Sequence, residues 1–308
     1  MKKKSTQNPT PIGIDQMLKT VKKVLISGIG GGGDVVTALH VRWTLEKIAP
    51  HTEWVHGGVT GSDVTHFEAI EQIDENSAWI TEKSKSAPSH RLIEAVIARR
   101  IKEKIFVLSC YHGVGNMVKS LNAFIKSEKI EMVIYIDGGT DSLAFLGCSA
   151  GSIVEDTMGL AALGLGEYDM QLKHRVAGVS VIGVELPLHE ISLQLLKISQ
   201  AGGYVGGTFF PIERISDYAE IISEVLQYYP TATALAPLLV TKTSFDTHLY
   251  PYRPIINGFQ LATFLFDASI AATVGNDFTS LIFKEPSRQS TKQAIRRAMT
   301  ELNPESKD

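Results

Sequence analysis

The chain has 308 residues, of which 44% are hydrophobic and 20% charged, with a formal charge of −3. That length suffices for a substantial core, and the interspersed charges leave no basic patch for nucleic acid. The longest apolar run, 261–274, is broken by Asp267 and falls short of the ~20 residues that span a bilayer, so it reads as a buried helix and no membrane partner is expected.

Residues 1–13 form a polar N-terminal tail. Lys2-Lys3-Lys4 is followed by polar residues and prolines, without the apolar core of ~7–15 residues of a secretory leader. Two cysteines, Cys110 and Cys148, make no disulfide framework, which fits a reducing cytoplasm. The expected elements then alternate. A strand over 23–27 leads through the glycine run Gly28-Ile29-Gly30-Gly31-Gly32-Gly33 to a helix over 35–48. A strand over 53–56 is closed by Gly57-Gly58, and 63–73 reads as helical. Residues 76–89 read as a loop and 90–102 as a helix, on the stripe Leu92, Ala95, Val96, Arg99. Strands over 105–108 and 132–136 alternate with helices over 114–127 and 153–163. A strand over 178–186 and helices over 189–199 and 215–229 follow. Beyond Pro230 the pattern blurs, with helical character over 232–240, 258–274 and 292–299.

Short, continuously apolar strands alternating with helices predict an α/β fold: a Rossmann-like, doubly wound, mostly parallel sheet with helices on both faces. No linker divides residues 14–308, which are expected to form a single domain. In such sheets ligands gather at the carboxyl ends of the strands, where strand order reverses. Most of the unusual residues fall at expected strand ends.

Gly30, Gly31, Gly32 and Gly33 lack side chains, so their amides can approach an anion at a helix start. Gly28, Gly30 and Gly33 match G-x-G-x-x-G, but two features argue against NAD as the ligand. The expected second strand ends in His56-Gly57-Gly58, without the acid that would hold a ribose. Asp34, in the first helical turn, would repel a pyrophosphate unless a cation intervened. Asp34 reads equally well as a helix N-cap.

Asp137-Gly138-Gly139-Thr140-Asp141 ends a buried strand. Asp137 and Asp141 are candidate ligands for magnesium or manganese, whose remaining positions water and substrate would fill. The structural alternative has Asp137 accepting from turn amides and Asp141 capping the next segment. His112, in Tyr111-His112-Gly113-Val114-Gly115-Asn116, is the expected proton carrier. Gly113 and Asn116, with Gly138, Gly139 and Thr140, complete the expected ligand contacts. Glu155-Asp156 suits a helix start on dipole grounds alone, and Glu185 and His189-Glu190 read more readily as surface. A Cys148–His112 nucleophilic pair has no local support. Gly202-Gly203 reads as a helix C-cap, and Thr243–His248 carries no recognisable mechanism.

The glycine run with Asp34-Val35-Val36, the Asp137–Leu143 motif, Glu155-Asp156, and Gly202-Gly203 after a helix resemble the domain of unknown function 1152 family, from about residue 24 to 272. The resemblance implies a Rossmann-like α/β domain and brings no established reaction. The chain departs from the family pattern after Gly147, where Cys148-Ser149 replace acids. The Asp137-Gly-Gly loop is also similar, over a few residues, to that of metal-dependent D-glutamate cyclases. The reading is an enzyme acting on a small anionic metabolite, phosphorylated or a nucleotide, by cation-assisted lyase, cyclase or hydrolase chemistry. His112, Asp137 and Asp141 would be its catalytic residues. A non-catalytic binding protein is the alternative. A third reading is a homo-oligomeric scaffold with Phe259, Phe264 and Phe266 at its interface.

Overall fold

The computed structural model describes residues 12–86, 90–148, 153–229, 237 and 258–302. The strands are β1 (Lys23–Gly28), β2 (Glu53–Thr60), β3 (Phe67–Glu68), β4 (Glu71–Asp74), β5 (Ser77–Ile80), β6 (Lys85–Ser86), β7 (His90–Arg91), β8 (Ile105–Ser109), β9 (Met132–Asp137), β10 (His174–Ser180), β11 (Tyr204–Phe209) and β12 (Ala262–Asp267). The helices are α1 (Ile14–Lys19), α2 (Asp34–Ile48), α3 (Ile93–Ile101), α4 (Val114–Glu128), α5 (Val154–Leu165), α6 (Leu188–Gln200), α7 (Ile215–Val225), α8 (Ala268–Val274), α9 (Thr279–Ile282) and α10 (Arg288–Leu302).

One nine-stranded sheet has the order β11-β12-β10-β9-β1-β2-β8-β5-β4, and a small sheet joins β3, β6 and β7. The five central strands are parallel. Antiparallel pairs extend both sides, β12 and β11 beyond β10 and β5 and β4 beyond β8. From β1 the chain steps outward through β2 to β8, then crosses back to β9 and steps the other way to β10. This is the doubly wound, Rossmann-like order, with its reversal between β1 and β9.

Period-two alternation divides the core. Leu25, Val133 and Tyr135 face one side, under α4, α5 and α8. Val24, Ile26, Met132, Ile134 and Ile136 face the other, against α1 and α2. Val36, Val96 and Ile221 join α2, α3 and α7 over β8. Among the described residues no helix is long and apolar enough to cross a membrane.

Several local expectations are corrected. β2 runs on through Gly57 and Gly58 to Thr60, because Gly57 lies where a Cβ would be 3.0 Å from the Phe106 carbonyl and 3.2 Å from Leu25. This is a glycine of close approach rather than of a turn. The expected helix over 63–73 is one 3₁₀ turn and two short strands. Asp63 caps that turn by accepting from the Thr65 N–H, and Ala69 turns left-handed at φ 54°. β5 occupies part of the expected loop over 76–89, paired with β8. β10 stops at Ser180, where Val181 (φ 50°) and Gly183 (φ 85°) turn the chain. The expected helix over 258–274 contains β12. Its Asp267 accepts from the Ser269 and Ile270 N–H groups and caps α8. Phe266 is buried in the core and is not available to an interface. Gly202 does end α6 left-handed, with Gly203 N–H donating to the Ile198 carbonyl. Most of the N-terminal tail, residues 232–236 and 238–240 of the expected helix, Thr243–His248 and Ser149 lie outside the described residues.

The helix that covers the reversal packs directly on the backbone just beyond β1. A Cβ on Gly159 of α5 would stand 2.1 Å from the Ile29 carbonyl oxygen. Helix propensity alone favours alanine there by about 1 kcal/mol. Gly159→Ala is nevertheless expected to destabilise by about 1–3 kcal/mol, because the helix must lift off that backbone. Urea unfolding checks the sign: the midpoint should fall.

Candidate functional site

The chain reversal brings two loops side by side, one after β1 and one after β9. Asp34 opens α2 with Gly33 as its N-cap, so it is not the cap itself. Its carboxylate instead joins the loops. Oδ2 accepts from the Gly30 N–H at 2.9 Å and Oδ1 from the Gly138 N–H at 2.9 Å. Asp137 accepts from its own turn, Oδ1 from Gly139 N–H at 2.6 Å and Oδ2 from Ser142 N–H at 2.8 Å. Glu185 reaches in from beyond β10, its Oε2 accepting from Thr140 N–H at 2.9 Å. The amides of Gly138, Gly139 and Thr140 thus each serve a carboxylate of the protein itself.

Glycine makes this crowding feasible. A Cβ on Gly30 would lie 2.2 Å from the Asp156 carboxylate, and one on Gly139 would lie 1.6 Å from that of Glu185. Gly31 and Gly32 are open, with nothing within 4 Å of a Cβ position. The C-terminal segment braces the second loop: buried Asn276 donates to the Ser142 carbonyl at 2.7 Å and to Thr157 Oγ1 at 3.2 Å.

Five carboxylates therefore converge. Oxygens of Asp34, Asp137 and Asp156 lie within 4.8 Å of one another, as do those of Asp137, Asp141 and Glu185. Among the described residues none of the five forms an ion pair. Burial, then the charge of Asp137, pushes Asp34 up to about 7, and the same two causes push Glu185 up to about 8. Asp141 and Asp156 go well above the ordinary carboxylate range, through burial first and then neighbouring carboxylates. Burial also raises Asp137, against its bonds from Ser142 and Gly139. Carboxyl oxygens of Asp34 and Asp156 lie within 4.8 Å of each other. Two carboxyl groups so close attract only where one keeps its proton, and burial raises both.

Asp34, Asp137 and Asp141 meet here with Gly30, Gly138, Gly139 and Thr140. Asp137 accepts from the turn amides, whereas Asp141 does not cap the next segment: the short turn Asp141–Leu143 has no side-chain cap. Asp156 and Glu185 belong to the cluster although their sequence signals also fit a helix start and a surface position. His112 does not join it, since β1 and β2 separate its strand from β9. Its Nε2 lies 3.8 Å from Asp63 Oδ2. Asn116 donates to the His112 carbonyl, and Gly113 packs beneath Glu285 and Pro286. Cys148 packs against the core at the end of the second loop, with the same two strands between that loop and the one bearing His112. His189 is exposed on α6.

A cavity of about 460 Å³ lies elsewhere, between α2, α3 and α7. Its guanidinium groups are engaged: Arg42 by Glu46 and Glu103, Arg100 by Glu220, and Arg214 by Asp217. It is away from the carboxyl ends of the parallel strands, where this fold class holds its ligands.

The cluster is built of oxygen donors and lacks a counter-charge, which suits a hard divalent cation. Without one, the folded protein holds protons that the unfolded chain has released. Its stability should therefore fall as pH rises through the raised values of Asp34 and Glu185. Buried His40 and His56, held neutral with values lowered to about 3, add a pH dependence only below about 6.5. In chelator the urea midpoint is thus expected to drop between about pH 6.5 and 8.5, by more than about 1 kcal/mol in stability. A flat or rising profile would contradict the arrangement.

A family model described as Protein of unknown function (DUF1152) matches residues 25–308, nearly the whole chain. No curated protein and no solved structure matches it.

Proposed function

The chain belongs to that DUF1152 family, and within its Rossmann-like frame we propose a divalent-cation-assisted enzyme acting on a small anionic metabolite. One observation carries this reading: four buried carboxylates and the half-buried Glu185 meet at the strand-order reversal, without a cationic partner among the described residues. The amides of the second loop, which could hold an anion, already hold Asp34, Asp137 and Glu185. An anionic ligand would meet repulsion there unless a cation intervened. Asp137, Asp141 and Glu185 would hold magnesium or manganese, with Asp34 and Asp156 alongside. When bound, that ion would polarise a substrate oxygen as a Lewis acid.

Carboxyls with raised values can act as acids near neutral pH. Glu185 and the facing Asp34–Asp156 pair take the role expected of His112. The reaction class is elimination, cyclisation or hydrolysis, which need proton transfer and charge stabilisation but no hydride carrier. The second reading, a non-catalytic binding protein, is favoured by the separation of His112 from the cluster.

The test compares wild type with Asp137→Asn. Manganese or magnesium should raise the wild-type melting temperature, and metabolite panels followed by mass spectrometry should show product. Asp137→Asn should keep its circular dichroism spectrum, lose the cation-induced shift and lose about 100-fold or more of turnover. Full activity in the variant would sink the proposal, and cation and metabolite binding without product would support the second reading.

A further inference from the structure

The carboxyl edge of the sheet changes chemical character along its length. Carboxylates gather over β10, β9 and β1, whereas Arg288, His112 and Asp63 stand over β2 and β8. Arg288 begins α10, and its N–H donates to the Tyr111 carbonyl at 3.0 Å. Its guanidinium lies beside Gly61, where a Cβ would be 2.8 Å from both Arg288 Nε and Glu155 Oε1. The head of α5 therefore faces two ways: Asp156 turns to Asp34, and the preceding Glu155 turns to Arg288.

This ion pair is unlike the structural one on α2. Arg42 is held fork to fork by both oxygens of Glu103, at 2.7 and 2.8 Å, and is buried. Arg288 directs Nε and Nη2 at the single oxygen Oε1 of Glu155 and remains 36% exposed. Among the described residues its Nη1 has no hydrogen-bond partner. Arg288 also stands at the positive end of a 15-residue helix, where a cation is disfavoured. The guanidinium is thus only partly satisfied and partly open to solvent. The open Gly31-Gly32 turn follows β1, between the carboxylates and this corner.

We propose that Arg288 binds an anionic group of the substrate, with Glu155 as the carboxylate it partly releases. The substrate class is then a small metabolite with two anionic groups, one reaching the protein through the cation and the other through Arg288. The assignment of the first group rests on the function proposed above; that of the second does not.

Inorganic phosphate is the probe, titrated calorimetrically in chelator and again with manganese. Arg288→Gln should weaken phosphate binding about tenfold or more. Arg288→Lys, which keeps the charge but not the fork, should fall between it and wild type and serves if the glutamine variant does not fold. Glu155→Gln should act oppositely and tighten phosphate several-fold, by removing the competing charge. Manganese alone should bind Arg288→Gln as it binds wild type. Phosphate that ignores both Arg288 variants, fails to bind wild type, or binds Glu155→Gln more weakly overturns the assignment. Arg288-dependent phosphate binding in a protein that takes up no manganese would uphold it while removing the cation-assisted function.

Discussion

One carboxylate holds the two sides of the sheet's reversal together. Asp34 accepts from Gly30 in the loop it follows and from Gly138 in the loop after β9. Strand order alone brings these loops near each other, and this pair of bonds fixes their spacing. It needs glycine at the far end: a Cβ on Gly138 would stand 2.9 Å from Asp34 Oδ1 and 2.8 Å from Thr37 Oγ1. The positions of Asp137, Asp156 and Glu185 follow, because each is set by the loop or helix end that Asp34 has located.

The energetic cost of this arrangement is concentrated. Burying a carboxylate is unfavourable unless it is paired or hydrogen-bonded, and here several lie together. Backbone amides offset part of that cost for Asp34, Asp137 and Glu185. Asp141 and Asp156, raised well above the ordinary carboxylate range, avoid it by keeping their protons. A cluster so placed departs from what a stability-optimised core would contain. Departures of this kind, embedded in an otherwise consistent fold, are expected at functional sites.

The parallel core was legible because its strands are buried on both faces and read as unbroken apolar runs, as in residues 132–136 of β9. The two aspartate loops were legible because chemistry at the end of an apolar strand stands out. Other features were hidden by ambiguity of period. The mainly apolar β12 abuts the mainly apolar α8, and together they imitate one buried helix. Their boundary is Asp267, whose side chain caps the helix rather than interrupting it. Gly57 imitated a turn because sequence does not show that the Phe106 carbonyl and Leu25 press on it. Asp156 could not be separated from an ordinary dipole-favoured acid, since that distinction depends on Asp34, more than a hundred residues away. His112 follows β8, separated by two strands from β9 and the carboxylates, which only the order of the sheet reveals.

The antiparallel insertion of β12 has a consequence for how the chain is made. Among the described strands, β11 enters the large sheet by pairing with β12, and β12 by pairing with β10. During synthesis from the N-terminus, β10 therefore presents an unpaired edge until residues 262–267 have left the ribosome, and β11 meanwhile has no strand to join. Unpaired edges of this kind recruit foreign strands. The last sixth of the chain thus completes the sheet late, and a truncated nascent product ending before β12 would be a substrate for chaperones rather than a smaller version of the fold.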